Sequence, residues 1–407
     1  MRRQGSTTQA ERIVALDVLR GFALLGILVM NIQSFGMTYA AYGNPMVGVN
    51  PNNLNLTLWS VIHVFADTKF MTLFSLLFGA GVLLFTERAE AKGQRVRALH
   101  YRRTLYLLAF GLLHTALWSG DVLTIYSIGA MLVFWARKWP VKRLLLVGLF
   151  CLSLPSLFFL LADVTRSYWP EEELRSQLES IYPSDEDIAE EIEAFRSNIA
   201  GIWAYRNYGG SVFVDGLFLV VFYVWRPIGL MLWGMALFKL GVLSLKRDEG
   251  FYRKMIVYGF AIGIPLILVG LWYNFSLGFQ SLNVKYRGIQ WNYWGGIGVA
   301  MAYIGVIMLM LKQQRFPVIS SYLASYGQMA LSNYLGQTIL ATTFFYGYGL
   351  GQFARYGMFG LCIITIGIWT LQLFVSKFWM RRFRYGPFEW LWRCLTYGNL
   401  QPILRRP

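Results

Sequence analysis

Residues 16–31 read LDVLRGFALLGILVMN, the middle of an apolar run that extends from 14 to 37. A helix needs roughly 20 apolar residues to cross the hydrocarbon core of a bilayer, so this run is expected to be a membrane span. It is too long for the apolar core of a cleavable leader, and Asp17 and Arg20 interrupt its start. At about 100° per residue, Asp17, Arg20 and Asn31 share one face within about 60°. Asp17 and Arg20 are close enough to pair, and Asn31 lies about 21 Å further along at 1.5 Å per residue. One reading is a polar face lining a cavity. The other is an ion pair that anchors the helix end, with Asn31 bonding a neighbouring helix.

The composition says that most of the chain resembles this stretch. Of 407 residues, 56% are hydrophobic, 17% aromatic and only 14% charged, against about 25% charged in a soluble domain. The net charge of +16 and pI of about 9.8 do not imply nucleic acid, because the basic residues sit in short clusters between apolar runs. Further candidate spans are 57–85, 104–118, 121–136, 144–164, 212–240, 255–275, 292–312, 327–349 and 355–377. The third and fourth spans are joined only by Ser119-Gly120 and are expected to form a tight hairpin. With the N-terminus in the cytoplasm, cytoplasmic loops and tail hold 27 of the 37 Lys and Arg, and the opposite loops hold seven. Arg20, Lys69 and Arg226 fall within spans. By the positive-inside rule the expected fold is all-α: a polytopic protein of a bacterial inner membrane with about ten transmembrane helices and both termini cytoplasmic. Residues 1–320 form a membrane domain with an external acidic loop at 165–211. Residues 321–407 add the last helices and a cytoplasmic interfacial tail to the same unit.

Ionisable groups inside a membrane are costly and therefore candidates for function. His63 and Asp67 are four apart near the outer boundary, so the carboxylate can orient the imidazole. A histidine held in this way is suited to take a proton from a hydroxyl or amine. Lys69, two residues on, is expected to point elsewhere. His114 lies near mid-membrane, with Asp121 just after the hairpin turn. It is either a second candidate base or a histidine bonded to a carbonyl. His100, in the basic loop 86–103, is expected to be solvated. Arg226 beside Pro227 marks a helix break of the kind that lines cavities, with Asp215 on the outer side. Ser332, Asn333 and Gln337 suit helix–helix hydrogen bonds. The acidic stretch from Glu171 to Glu193 reads as a solvated helix capping the outer face, with a substrate-recruiting surface as the alternative. In the tail, Pro387 can open a short amphipathic helix in which Glu389 and Arg393 form an i, i+4 pair. That helix is an interfacial anchor or a lid.

Cys151, Cys362 and Cys394 have no ligand-like spacing, so neither a disulfide framework nor a metal site is expected. The chain carries no P-loop, no GxGxxG after a strand, no HExxH and no GxSxG, which removes support for ATP-driven transport, dinucleotide chemistry and zinc proteolysis.

The run from Leu16 to Ile27, the stretch FMTLFSLLFGAG at 70–81 and the closing GPFEWLWRCLTYG at 386–398 together resemble the YeiB family of bacterial membrane proteins, over essentially the whole chain. That family is similar to a wider group of transmembrane acyltransferases that includes heparan-α-glucosaminide N-acetyltransferase. Those enzymes have a comparable Leu-Asp-x-x-Arg-Gly segment ending in Val-Asn, a histidine, and an Ala-Asp before a Phe- and Gly-rich helix. The resemblance implies transfer of an acyl group, with acetyl-CoA or another acyl-CoA as cytoplasmic co-substrate, to a small-molecule or glycan acceptor on the far side. It matches Asp17, Arg20, Asn31 and Ala66-Asp67 to the group's pattern. The histidine corresponds best to His63, although in the group it precedes the Asp by a longer stretch, and His114 stays a rival. The expected catalytic set is His63, Asp67, Asn31 and His114, with Asp17, Arg20, Lys69 and Arg226 toward the acyl-CoA. A second copy of the chain is a candidate partner, and nucleic acid is not. The other function considered is secondary transport or export, with the same buried charges as a proton relay. A purely structural scaffold leaves those charges unexplained.

Overall fold

The structure is a computed structural model that describes residues 13–48, 52–207 and 223–405. Asp215 and the outer part of the expected sixth span, 212–222, lie outside the described residues. The described chain is helical throughout, apart from a single β-bridge between Phe383 and Leu404. Its helices are α1 (Val14–Gly36), α2 (Asn53–Phe65), α3 (Lys69–Ala91), α4 (Val96–Leu117), α5 (Leu123–Val133), α6 (Val141–Thr165), α7 (Glu171–Glu179), α8 (Asp185–Arg196), α9 (Ile199–Asn207), α10 (Trp225–Lys239), α11 (Glu249–Ser276), α12 (Ile289–Lys312), α13 (Pro317–Gln328), α14 (Ala330–Phe345), α15 (Met358–Arg382) and α16 (Pro387–Tyr397).

Six stretches among the described residues are long and apolar enough to cross a membrane: Val14–Gly36, Asn53–Ala91, Val141–Tyr168, Glu249–Ser276, Val284–Lys312 and Met358–Arg382. Large apolar side chains stand out from the bundle, including Leu113, Trp272, Phe374 and Phe378, each more than 60% exposed. In water each would forgo about 1.5–3 kcal/mol of burial; against lipid tails they lose nothing. The protein is a membrane protein.

The span nearest the N-terminus is the hub. It packs on α3, α12, α13, α14 and α15, and its crossing with α13 is close because both helices present glycine there. A Cβ on Gly21 would lie 2.1 Å from the Leu323 carbonyl oxygen, and one on Gly327 would lie 1.9 Å from that of Asp17. The boundary expected at residue 320 falls inside α13. Elsewhere α11 and α12 form a long hairpin, and α10 is wedged among α3, α5 and α6.

Two of the expected spans contain breaks. The second span divides at 66–68, where Thr68 takes φ +67°. Its freed carbonyls are met from within the protein: Tyr303 donates its hydroxyl to the Phe65 oxygen at 2.6 Å, and Lys69 donates its ammonium to the His63 oxygen at 2.6 Å. The ninth divides at Met329, between α13 and α14. There Glu389 of the tail helix accepts from the Leu331 and Ser332 amides at 2.6 and 3.0 Å and from the Ser332 hydroxyl at 2.6 Å. The expected Glu389–Arg393 pair does not form. Glu389 is spent on the α14 N-terminus, and Arg393 stacks 4.5 Å over the Tyr385 ring.

The acidic stretch folds as two helices, α7 and α8, separated at Ser184, which forms a capping box with Asp187. The α8 end caps the bundle. Gly347 donates its amide to the Phe195 oxygen at 2.9 Å, and Arg196 donates to the Phe353 oxygen at 2.9 Å. Glu191 accepts from the Tyr39 amide, just past α1, at 2.9 Å.

Burial pushes the Glu191 carboxyl up from 4.5 to about 7. The fold therefore holds its proton in a range where the unfolded chain has released it. Its stabilising contribution is full below pH 4.5 and lost as pH rises through about 7. Thermal unfolding in detergent should show a term on the order of 3 kcal/mol disappearing across that window. Glu191→Gln keeps the acceptor for Tyr39 but cannot ionise, so it should flatten the slope; a variant with the wild-type pH profile would refute the assignment.

Candidate functional site

The helix breaks and the α4–α5 hairpin generate two separate polar clusters, each with a histidine. The first is built on the 66–68 break. His63 Nδ1 lies 3.1 Å from Asp67, and the imidazole stacks on Trp59 with ring centroids 4.9 Å apart. Asp67 also accepts from the Asn292 carboxamide at 2.7 Å. Lys69 does not point elsewhere. The left-handed turn at Thr68 breaks the helical register, and the fully buried ammonium reaches the Asn292 side-chain oxygen. One turn on, Arg226 donates to Thr72 at 3.3 Å and to the Tyr293 carbonyl at 3.2 Å while covering the Tyr293 ring at 4.1 Å. Pro227 sits in the first turn of α10, after an interruption at Val224. Asn292 ties this cluster together, although an asparagine near the end of an apolar run carries no signal of its own.

The second cluster sits at the α4–α5 turn. His114 Nδ1 is 2.7 Å from Asp121 Oδ1, and Nε2 is 2.8 Å from the Thr338 hydroxyl on α14. Asp121 uses its other oxygen to accept from the Thr124 amide at 2.9 Å, and so caps the start of α5. An ionised carboxylate only accepts, so the Nδ1 contact requires a proton on Nδ1, and in the neutral imidazole Nε2 then presents its lone pair to the Thr338 hydroxyl. The hairpin closes tightly enough for this because Gly111 leaves room: a Cβ there would lie 2.6 Å from the Thr124 nitrogen. His114 is 5% exposed and Thr338 is fully buried.

A cavity of about 230 Å³ leads toward this second cluster from the basic end of the bundle. Its mouth carries Arg20, Arg88, Arg103 and Arg393, against Asp17 and Glu389. Arg20 pairs with Asp17 at 3.2 Å, as the spacing implied. Arg103 is held between the rings of Phe85 and Trp392, at 4.5 and 4.1 Å, and Trp392 donates its indole N–H to the Arg103 carbonyl at 2.8 Å. The tail helix therefore forms one wall of the cavity. The inner lining includes Ile27, Leu107, Val122 and Tyr334. The Tyr334 ring stands 5.1 Å, centroid to centroid, from the His114 ring.

Of the residues singled out from sequence, Asp17, Arg20, His100, Glu389 and Arg393 line this cavity, and His114 lies just behind its inner wall. His63, Asp67, Lys69 and Arg226 do not line it. Asn31 is one turn beyond Ile27 on the same face of α1, half-buried, and its carboxamide has no hydrogen-bond partner among the described residues. His100 is not solvated: α4 begins at Val96 and carries it into the bundle, where it is 1% exposed, 3.0 Å from the Ala130 oxygen and stacked on Phe134. Asn333 and Gln337 bond α14 to its neighbours, Asn333 to Ser376 at 2.9 Å and Gln337 to the Tyr326 hydroxyl at 2.8 Å. Among the described residues no group of three or more His, Cys, Asp or Glu could hold a metal.

The profile of a family described as protein of unknown function (DUF418) matches residues 237–399. The chain is similar to the uncharacterized protein YxaH of Bacillus subtilis (strain 168), 31% identical over 98% of this chain and 98% of the relative. It is equally similar to the uncharacterized protein YeiB of Escherichia coli (strain K12), 31% identical over 97% and 99%. An uncharacterized 39.9 kDa protein in the amylase 3′ region of Bacillus acidopullulyticus is 26% identical over 97% and 96%. No solved structure matches the chain. The protein belongs to the YeiB-like family.

Because Asp121 serves two donors, Asp121→Asn leaves one of them without an acceptor. An unpaired buried donor costs about 1–3 kcal/mol, so the variant should melt several degrees below wild type in detergent. An unchanged melting temperature would show that Asp121 does not hold both His114 and Thr124.

Proposed function

We propose that this YeiB-like protein is a transmembrane acyltransferase that takes an acyl group, acetyl in the first instance, from a cytoplasmic acyl-CoA and delivers it to an acceptor at the outer side. The observation that carries this is the cavity running from an arginine-rich mouth to the wall of the His114–Asp121 pair. On this reading about ten helices cross a bacterial inner membrane with both termini cytoplasmic, which puts the basic mouth on the side where acyl-CoA is found.

The cavity is smaller than the ~300–1,000 Å³ pockets that engulf a whole drug-sized ligand, and it suits a linear arm. The pantetheine chain would lie inside, with the nucleotide outside and its phosphates against Arg20, Arg88, Arg103 and Arg393. Arginine presents the planar fork that phosphates favour. Of the two histidines paired with a carboxylate, His114 lies nearer the cavity and is the better-placed base. Its Nε2 lone pair is set by Asp121 on the other ring nitrogen, which is what proton abstraction requires. Asn31, whose carboxamide has no hydrogen-bond partner among the described residues, is one turn beyond the cavity-lining Ile27 on the same helix face, and it would stabilise the oxyanion as the thioester carbonyl is attacked. The acceptor is a hydroxyl or amine of a small molecule or glycan.

Secondary transport is the second reading, and the 66–68 break favours it: a discontinuous helix with a half-buried Asp67 beside a buried Lys69 and Asn292 is how many transporters build a coupling site. Acyl transfer proceeds in detergent without a gradient, whereas coupled transport needs one.

The purified protein should bind acetyl-CoA and slowly hydrolyse it. His114→Ala should retain binding and lose hydrolysis by on the order of 100-fold or more, while His63→Ala keeps it. Loss in the His63 variant alone would move the chemistry to the first cluster. Arg103→Gln should weaken binding about tenfold and flatten its salt dependence, since one phosphate-facing charge is removed. Absence of binding by wild type would leave transport as the reading, with proton-coupled flux in liposomes as its measure.

A further inference from the structure

Hydroxyl side chains buried in this protein mostly turn back on their own helix, as serine and threonine do in membrane helices. Thr342 donates to the Thr338 carbonyl at 2.8 Å, Thr115 to that of Gly111 at 2.9 Å, Thr365 to that of Leu361 at 2.8 Å, and Ser127 to that of Leu123 at 2.7 Å. Thr338 instead points its hydroxyl across to another helix, at the Nε2 of an imidazole whose other nitrogen is held by a carboxylate. Carboxylate, imidazole and hydroxyl in that order, at 2.7 and 2.8 Å, form the arrangement in which a base activates a nucleophile. Thr338 lies one helical turn beyond Tyr334, on the same face of α14, and Tyr334 lines the inner end of the cavity.

We infer that Thr338 is the nucleophile that carries the acyl group between the two sides, in two half-reactions. This rests on the acyl-transfer reading above. His114 Nε2 takes the Thr338 proton as Oγ1 attacks the thioester carbonyl. The C–O bond forms, the C–S bond breaks, and the proton passes to the departing thiolate to give free CoA thiol and an O-acyl threonine. In the second half-reaction His114 takes a proton from the acceptor hydroxyl or amine. The acceptor oxygen or nitrogen bonds to the acyl carbon, the bond from that carbon to Thr338 Oγ1 breaks, and the proton returns to Oγ1. No redox partner or metal is needed, and both steps use the same base. The arrangement also answers a geometric problem: donor and acceptor enter from opposite ends, and a covalent stop midway removes the need for them to meet. Thr338 is fully buried, so water reaches the ester slowly and the intermediate survives until an acceptor arrives.

The test is incubation of the full-length protein in detergent with acetyl-CoA and no acceptor. Wild type should release about one CoA thiol per chain in a burst, followed by slow turnover, and peptide mass spectrometry should find acetyl on Thr338. Thr338→Val removes the hydroxyl at constant volume. It should bind CoA as wild type does, melt as a folded protein, and lose both the acetyl mark and the burst by on the order of 100-fold. Thr338→Ser should restore both, with the mark at the same position, which a purely structural threonine would not require. Hydrolysis by Thr338→Val at the wild-type rate, or an acetyl mark on His114 in wild type, would overturn Thr338 as the nucleophile while leaving acyl transfer standing. No thiol release and no binding by wild type would overturn both.

Discussion

Inside a bilayer a broken helix has no water to turn to, and every donor or acceptor that the break releases must be met by another part of the chain. Much of what is distinctive here follows from that. At 66–68 the partners are Tyr303 and Lys69, and the demand for them draws a buried ammonium, a carboxylate and Asn292 into one place. At Met329 the partner is Glu389, delivered from the far end of the chain by a helix that then has to lie against α4. That docking closes one side of the cavity, whose other walls come chiefly from α1, α3, α4 and α14.

The histidine clusters differ in kind, and the difference bears on what each is fit for. Around His63, Asp67 holds the imidazole and the Asn292 carboxamide, Lys69 bonds Asn292 and the His63 carbonyl, and Arg226 turns to Thr72 and the Tyr293 carbonyl, so these polar groups are largely spent on the break and its neighbours. Around His114 the chain of contacts is linear and directional, from carboxylate to imidazole to hydroxyl. Directional order of this sort fixes a tautomer, and a fixed tautomer matters to chemistry more than to packing. The closeness of α4 and α5 at Gly111 and the cap that Asp121 supplies to α5 make the order a by-product of ordinary hairpin closure.

The all-helical class, the first span, the Asp17–Arg20 pair and the His63–Asp67 pair were legible in the sequence, because each depends on spacing within one helix. What was illegible depends on breaks and on distance along the chain. Lys69 was misjudged because Thr68 adopts a left-handed conformation with neither glycine nor proline to announce it. His100 reads as part of a loop because the helix carrying it begins among basic residues rather than apolar ones. Glu389 had an obvious partner four residues away and took a different one nearly sixty residues back. Thr338 carries no sequence signal, since a threonine in an apolar run is commonplace. Its meaning comes from His114, 224 positions earlier. The histidine and the aspartate were both noted, but their pairing crosses a turn, where helical periodicity does not apply.

The Glu389 cap has a consequence for how the protein comes to be. The ribosome makes α1, α3, α4 and α14 well before it makes Glu389 and Trp392, and each of those helices can enter the membrane as it emerges. Until the tail arrives, the first amides of α14 have no carboxylate and Arg103 lacks one of its two flanking rings. Insertion and maturation are thus separate events, and the basic pocket closes only once synthesis has passed its final helix. A nascent chain stalled short of residue 389 would have its helices in the membrane yet lack both the carboxylate that caps α14 and the ring that completes the Arg103 sandwich.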